Sequence, residues 1–565
     1  MHSMVKKLVP IIIIAIVFLL AWQYIKELPS SALTDSLIWM IPLFLAIDFA
    51  LLIVTLVWNR KELRNPFRNI SKRTLIALLL IFILALSLRA FLAPVTHRVY
   101  FDEDIYANIG QNILHEGNAI LCNRGTQEHC YEYILNKQPI GHQFLFAVTY
   151  MFFGVNELLL HALTMLLGAL SAVLVFAITY LLFKRKDIAI FSALLMALTP
   201  VAVQWSATIA AEPYFLFFAL LSVLMFLIYF ENQKTKTLWL SIAALTYALQ
   251  IRPDGYLLLI PIALLFLLFD KELFKKIYKP KFIVPIAVML ILIMPTAIHT
   301  TAALASDPWG SGGKVFSGEY LEKNLSDNTM FLFENTRWPI VYTLFAILGA
   351  AALLFSKHKK LLLVLGAWFF AFFLIYGFFY AGSFNYGVDV RFSLTLYPAL
   401  VIFAAYGFAA LKDLLKKITN WRNDFFNVVI IAVIALLFLP FASYVSAIGN
   451  QAIIAREQHD FGFAELDKII DDKCIVMNHV PSMWLVMGKT SMQTWFGQNQ
   501  PIMDWAFNIT DNCVYFYEAY WCGTEPYKSS VCNHMHSAFD LTQIAQTSAV
   551  EGTLRNITLY RVNRK

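Results

Sequence analysis

The chain has 565 residues, 59% of them hydrophobic and only 14% charged, with a mean hydropathy of +0.64. That is too apolar for a water-soluble globular protein, in which about a quarter of the residues are charged. The formal net charge of +7 excludes little by its size, and its distribution along the chain is the informative part.

Apolar runs long enough to cross hydrocarbon recur along most of the chain. They predict thirteen membrane spans, near 8–25, 37–58, 74–93, 157–183, 188–209, 213–230, 238–251, 256–269, 282–300, 338–355, 361–380, 391–410 and 425–447. The first reads as a retained helix, because no small-residue cleavage site follows its basic start. Segment 58–73 carries Arg60, Lys61, Arg64, Arg68, Lys72 and Arg73 against a single acid, Glu62. Further basic clusters lie at 184–186, 271–281, 357–360 and 412–422. With thirteen spans all of them fall on the side of Lys6 and Lys7, which the positive-inside rule makes cytoplasmic. Segments 94–156, 300–337 and 448–565 then lie outside. This parity depends on 238–269, where two short spans meet at Arg252-Pro253-Asp254-Gly255. Lys234, Lys236, Lys271 and Lys275 flank that region on both sides, which favours a broken pair over one long helix.

Three parts follow from this reading. Residues 1–73 form two helices and a basic loop. Residues 74–447 form the membrane body, with a large first loop at 94–156. Residues 448–565 are polar enough for a small α/β domain, with strands expected at 473–477, 513–517 and 553–562. Within the first loop, Ile105 to Leu114 has helical spacing, and the short apolar stretch 144–153 suits an interfacial helix. All six cysteines (Cys122, Cys130, Cys474, Cys513, Cys522 and Cys532) fall in segments read as external, where disulfides persist. Cys122 with Cys130, Cys474 with Cys513 and Cys522 with Cys532 are the candidate pairs, although spacing alone leaves connectivity open.

Charges at span boundaries are costly unless paired or functional. The densest group is Asp102-Glu103-Asp104, shortly after the third span. On the topology above, Arg89, Lys137, Glu212, Arg252, Asp254 and Arg391 approach the same face. Carboxylates meeting cations at a lipid boundary suit a substrate with an anionic headgroup and a lipid tail. Arginine and lysine would hold a phosphate, and a carboxylate would take a proton from an attacking hydroxyl. Each residue also has a bland reading: a solvated acidic turn for 102–104, a helix cap for Glu212, snorkelling for Arg252 and Arg391, and packing for Tyr106.

Several motifs in this order resemble those of the GT-C lipid-phosphate-sugar glycosyltransferases, among them the protein O-mannosyltransferases (glycosyltransferase family 39) and the aminoarabinose transferases of lipid A. They are Asp102-Glu103-Asp104-Ile105-Tyr106 with a helix ending at Gly117, Lys137-Gln138-Pro139-Ile140, Phe152-Phe153-Gly154, Ala211-Glu212-Pro213, Arg252-Pro253-Asp254 and Arg391-Phe392. Gln138 replaces a proline of the family pattern, and Asp104 is an additional acid. The resemblance covers most of 74–447. It implies a multi-pass membrane protein of the GT-C fold that moves a sugar, with inversion, from a polyprenyl phosphate to an acceptor hydroxyl on a protein, glycan or lipid. It implies Asp102 as general base and Glu103 as an acceptor-positioning carboxylate. Lys137, Arg252 and Arg391 are then the phosphate candidates, Arg89 a partner of the carboxylates, and Asp104, Tyr106 and Glu212 substrate-binding positions. The rival class is a transporter or flippase, whose charges should lie near the membrane midplane.

The sequence demands no cofactor, assigns no residues to a metal, leaves divalent-metal dependence open and suggests no nucleic-acid partner. The expected setting is a cell or ER-type membrane, with the N-terminus cytoplasmic and 448–565 extracytoplasmic. Weaker signals are the metal-like letters of Cys532-Asn533-His534-Met535-His536, read as a surface turn, and glycosylation patterns at Asn324, Asn508 and Asn556. Asp48 and His299 sit within or near spans and are read as locally satisfied.

Overall fold

The computed structural model of the chain describes residues 30–98, 102–270, 272–306, 314–335, 337–385, 387–419, 423–447, 453–523, 526–551 and 553–565, with isolated positions 16, 19 and 23. Nearly all of the expected span 8–25, with Lys6 and Lys7, lies outside the described residues.

Among the described residues, eight helices are long and apolar enough to cross a membrane. Their apolar character is distributed by position. The span Ala211–Asn232 is 83% buried within the protein, whereas Lys72–Leu92 is 17% buried and turns Leu75, Ile76, Leu79 and Leu80 outward. In lipid an outward Leu or Ile loses nothing, so the first is a central helix and the second a peripheral one. Two shorter apolar helical stretches, Pro253–Phe269 and Ile340–Leu354, join them.

The breaks have local causes. The expected span 188–209 divides into Lys186–Ala197 and Pro200–Trp205, because Pro200 suits a first turn and cannot continue a preceding helix. The Arg252-Pro253-Asp254-Gly255 break is present: Thr235–Leu249 ends before it, and the 3-10 turn Pro253–Leu258 leads into Leu259–Phe269. The helix Glu157–Phe183 is capped by Asn156, whose side chain accepts from Leu158 N–H at 2.9 Å.

Both helices expected in the first loop form, as Asp102–Glu116 and Gly141–Phe153. They pack tightly at Gly110, where a Cβ would fall 2.6 Å from the Phe146 Cβ. Between them lies the hairpin of β1 (Leu121–Gly125) and β2 (Cys130–Ile134). That hairpin joins the sheet of the C-terminal segment. The sheet has seven strands in the order β2-β1-β4-β3-β5-β7-β6, where β3 is Ile475–Asn478, β4 Thr490–Gln493, β5 Val514–Glu518, β6 Phe539–Glu551 and β7 Thr553–Arg564. Strand β3 runs parallel to β4 and β5, and the other pairs are antiparallel. The link between loop and C-terminal segment is the pairing of Arg124 with Met492 and Gly125 with Ser491. Gln111 adds a bond from its side-chain amide to the Leu485 carbonyl at 3.1 Å.

Cysteine pairs Cys122–Cys130, Cys474–Cys513 and Cys522–Cys532 are closed, so the first staples the hairpin and the second joins the approaches to β3 and β5. Two readings change. Residues 532–536 belong to the helix Pro526–Ala538, with Cys532 held in a disulfide, so they form no surface turn. Asn324 is buried and donates to the Tyr376, Gly377 and Phe379 carbonyls, a helix-tethering role in place of a glycan-bearing one.

Candidate active site

The acidic triplet occupies the first turn of the helix Asp102–Glu116. The helix N-terminus, with its unpaired N–H groups and positive dipole end, favours carboxylates there. Successive side chains leave a helix about 100° apart, and the three acids accordingly reach different places. Asp102 faces a cavity. Glu103 is fully buried and accepts from two backbone amides, Arg98 N–H at 2.7 Å and Ile209 N–H at 2.9 Å. Asp104 faces the His97 ring, 3.6 Å from its Nδ1.

The cavity has a volume of about 1040 Å³. Its polar wall includes Asp102, Tyr106, Lys137, Glu212, Arg252, Asp254, His299, Tyr376, Asp389 and Arg391. Its apolar wall includes Leu33, Leu37, Leu257, Ile375 and Phe379. Glu212, in the first turn of Ala211–Asn232, is the hub of the charges. It accepts from Arg252 Nη1 and, at 2.9 Å, from Arg391 Nε. Arg252 Nε donates to Asp254 at 2.8 Å, and the Tyr376 hydroxyl donates to the same Asp254. Phe392 underlies both guanidinium groups, 5.2 Å from that of Arg252 and 4.6 Å from that of Arg391. The arginine forks are thus fixed by carboxylates and an aromatic face before any ligand arrives.

Asp102 is half-buried. Burial pushes its carboxyl up to about 6; Arg391 and Lys137 pull it down, while Glu103 and Glu212 add to the rise. The group remains largely ionised at neutral pH yet is a stronger proton acceptor than an ordinary aspartate, as a base requires. Burial holds the Tyr106 hydroxyl well above its ordinary value, and the nearby Asp102 charge adds to this, so Tyr106 stays neutral. Its ring meets His142 edge-on at 4.6 Å. Burial pushes His142 down to about 3, which makes it an uncharged wall.

Asp102, Tyr106, Lys137, Glu212, Arg252 and Arg391 are therefore brought together, and three predicted site residues are not. Glu103 is turned into the protein, accepts from the two amides and does not line the cavity. Asp104 points away from the cavity toward His97. Arg89 is fully buried, and its Nη1 donates to the Ala85 carbonyl at 2.8 Å and the Ala197 carbonyl at 3.4 Å in place of the acidic triplet. Sequence reasoning missed Tyr376, Asp389 and His299 as wall residues. Asp389, two positions before Arg391, could have been found from that spacing. Tyr376 lies in the middle of an aromatic run without a distinguishing neighbour. Asp48, within the helix Ser30–Trp58, accepts from the Gln250 side chain at 3.0 Å.

A sequence family described as dolichyl-phosphate-mannose-protein mannosyltransferase matches residues 137–299. That stretch begins and ends at two cavity residues, Lys137 and His299. A protein of Aquifex aeolicus (strain VF5), described only as uncharacterized, is 29% identical over 177 residues, 31% of this chain and 34% of the relative. The chain thus spans about a third of the length of the curated relative it matches. Two structures of ArnT from Cupriavidus metallidurans share the fold. The apo form aligns with a TM-score of 0.55 at 14% identity, covering 85% of this chain and 97% of ArnT. The form bound to undecaprenyl phosphate aligns with a TM-score of 0.51 at 13% identity, covering 86% and 97%. The likeness is one of fold: long apolar helices of membrane-spanning length joined to a small C-terminal sheet, as in ArnT.

Proposed function

We propose that this protein is an inverting glycosyltransferase that moves a sugar, mannose or a related hexose or pentose, from a dolichyl- or undecaprenyl-type phosphate to an acceptor hydroxyl on the extracytoplasmic side. The observation that carries this reading is the large cavity in which Asp102 faces Arg252, Arg391 and Lys137 beside an apolar wall. The wall suits prenyl units, the cations suit one phosphate, and Asp102 suits the acceptor. The family name carries a dolichyl phosphate donor and the ArnT complex an undecaprenyl phosphate, which support a polyprenyl donor here.

In this mechanism the acceptor O–H gives its proton to Asp102. The oxygen attacks the anomeric carbon from the face opposite the phosphate. The sugar–oxygen bond breaks, its electron pair stays on the phosphate, and the cations stabilise the charge that develops there. Because phosphate is already a stable anion, no acid is needed at the leaving group. Single displacement inverts the anomeric centre. Glu103 acts as a positioning residue that fixes the turn carrying Asp102. Residues 74–447 form the catalytic body and 1–73 an N-terminal extension. Segment 448–565, completed by the loop hairpin, lies on the acceptor side and helps select the acceptor, which is a protein, glycan or lipid.

The test is incubation of the purified protein in vesicles with a panel of labelled polyprenyl-phosphate sugars and candidate acceptors. Label moving from at least one lipid donor to an acceptor, with inverted configuration, is the expected result. Label that crosses the vesicle without leaving its lipid would overturn the reading in favour of a flippase.

A further inference from the structure

Outside the cavity, three histidines converge on one carboxylate. Glu157 opens the helix Glu157–Phe183, and His161 follows one turn later on the same face. His97 comes from the segment preceding Asp102–Glu116. His459 comes from the helix Ile453–Ala464, 302 residues beyond Glu157. The Nε2 of His97 contacts Glu157 Oε1, the Nε2 of His161 lies 3.4 Å from the same oxygen, and the Nε2 of His459 lies 2.9 Å from Oε2. Side-chain exposure is only 2% for His97, 7% for Glu157 and 5% for His161, and 24% for His459. Ligand atoms of His97, Glu157 and His161 all lie within 4.8 Å of one another, as do those of His97, Asp104 and His459.

One hydrogen bond makes this more than a polar cluster. His161 Nδ1 lies 2.9 Å from the Ala207 carbonyl, which can only accept, so Nδ1 carries the proton. With Nδ1 committed to Ala207, the atom that His161 turns toward the Glu157 carboxylate is Nε2, and His97 and His459 turn Nε2 toward the same carboxylate. One divalent cation satisfies them together.

We propose that His97, His161 and His459, each through Nε2, and Glu157 through its carboxylate bind a single zinc ion. Three imidazoles and one carboxylate make a complete tetrahedral set, as in sites that hold structure, and imidazole-rich sets select zinc over magnesium or calcium. Asp104 stands behind His97 at Nδ1 and Ala207 behind His161 at Nδ1, the outer partners that orient ligating rings. The ion joins the C-terminal segment to the membrane body. Through Asp104 it also fixes the turn that carries Asp102. This assigns a role to the third acid of the triplet.

The experiment uses full-length protein carrying no histidine tag, equilibrated with Zn²⁺ and freed of loose metal by gel filtration. Elemental analysis should find about one zinc per chain. X-ray absorption should show a nitrogen and oxygen shell with imidazole scattering and no sulfur. The His161→Gln, His459→Gln double variant should lose about tenfold of the metal, while His129→Gln, at a surface histidine, should retain it. Wild-type protein without zinc, a sulfur-containing shell, or zinc unchanged in the double variant would each overturn the proposal. If the double variant fails to fold, metal content and absorption of the wild type still decide it.

Discussion

Replacing Asp102 with asparagine separates chemistry from stability, because the structure predicts opposite signs for the two. Asparagine keeps the size of the side chain and removes its ability to accept the acceptor's proton. A positioned general base contributes about 10²–10⁴ in rate, so transfer should fall by at least about a hundredfold. Stability should move the other way. Burial pushes the folded carboxyl up to about 6, from an ordinary 3.8. The folded state therefore binds more protons than the unfolded state between these values, and stability falls as pH rises through that window. At about 1.36 kcal/mol per unit, a shift of about two units corresponds to about 3 kcal/mol. Partial solvent exposure of Asp102 reduces this to about 1–2 kcal/mol. Asp102→Asn should consequently melt higher than wild type at pH 8, with the gap closing as pH drops to 4. Wild-type transfer should show a rising limb centred near pH 6. The assays are initial rates with a labelled polyprenyl-phosphate sugar and thermal melts in detergent across that pH range. Transfer within a few-fold of wild type, or a variant that melts lower at pH 8, would refute the assignment of Asp102 as a desolvated base.

Two further predictions concern the frame around that base. Glu103→Ala strands the amides of Arg98 and Ile209, each worth about 1–3 kcal/mol when left unpaired and buried, so melting temperature and transfer should drop together. Loss of transfer in Glu103→Gln with an unchanged melt would instead give Glu103 a chemical role. For the disulfides, loop-closure entropy gives about 2.5 kcal/mol for a separation of 8 at Cys122–Cys130 and about 4 kcal/mol for 39 at Cys474–Cys513. Serine pairs at 474 and 513 should therefore lower the melting temperature more than serine pairs at 122 and 130. The reverse order would show that strain or residual unfolded-state structure outweighs loop length.

What could be read beforehand follows from how local each signal is. Eight of the thirteen expected spans coincide with long apolar helices among the described residues, because a membrane helix declares itself within about 20 consecutive residues. The break at Arg252-Pro253-Asp254-Gly255 was legible because proline acts on its own turn. The charges around Glu212 were legible only by way of topology, which brought Arg252 and Arg391 to one face without showing that both would bind the same carboxylate. The hairpin Leu121–Ile134 gave no sign that it would pair with β4, since an edge strand's partner is chosen by geometry more than 350 residues away in the chain, as the register Gly125 to Ser491 shows. His97, Asp104, Glu157, His161 and His459 illustrate the same limit. Only the Glu157–His161 spacing is helical, and four elements must assemble before the five residues meet. The acidic triplet lies between these cases. Its composition pointed to a site, and the helix turn then gave its members three separate environments: a cavity, a pair of backbone amides and a histidine ring. Adjacent carboxylates in one turn thus need not share a function, and here the catalytic reading belongs to the one residue whose direction matches the cavity.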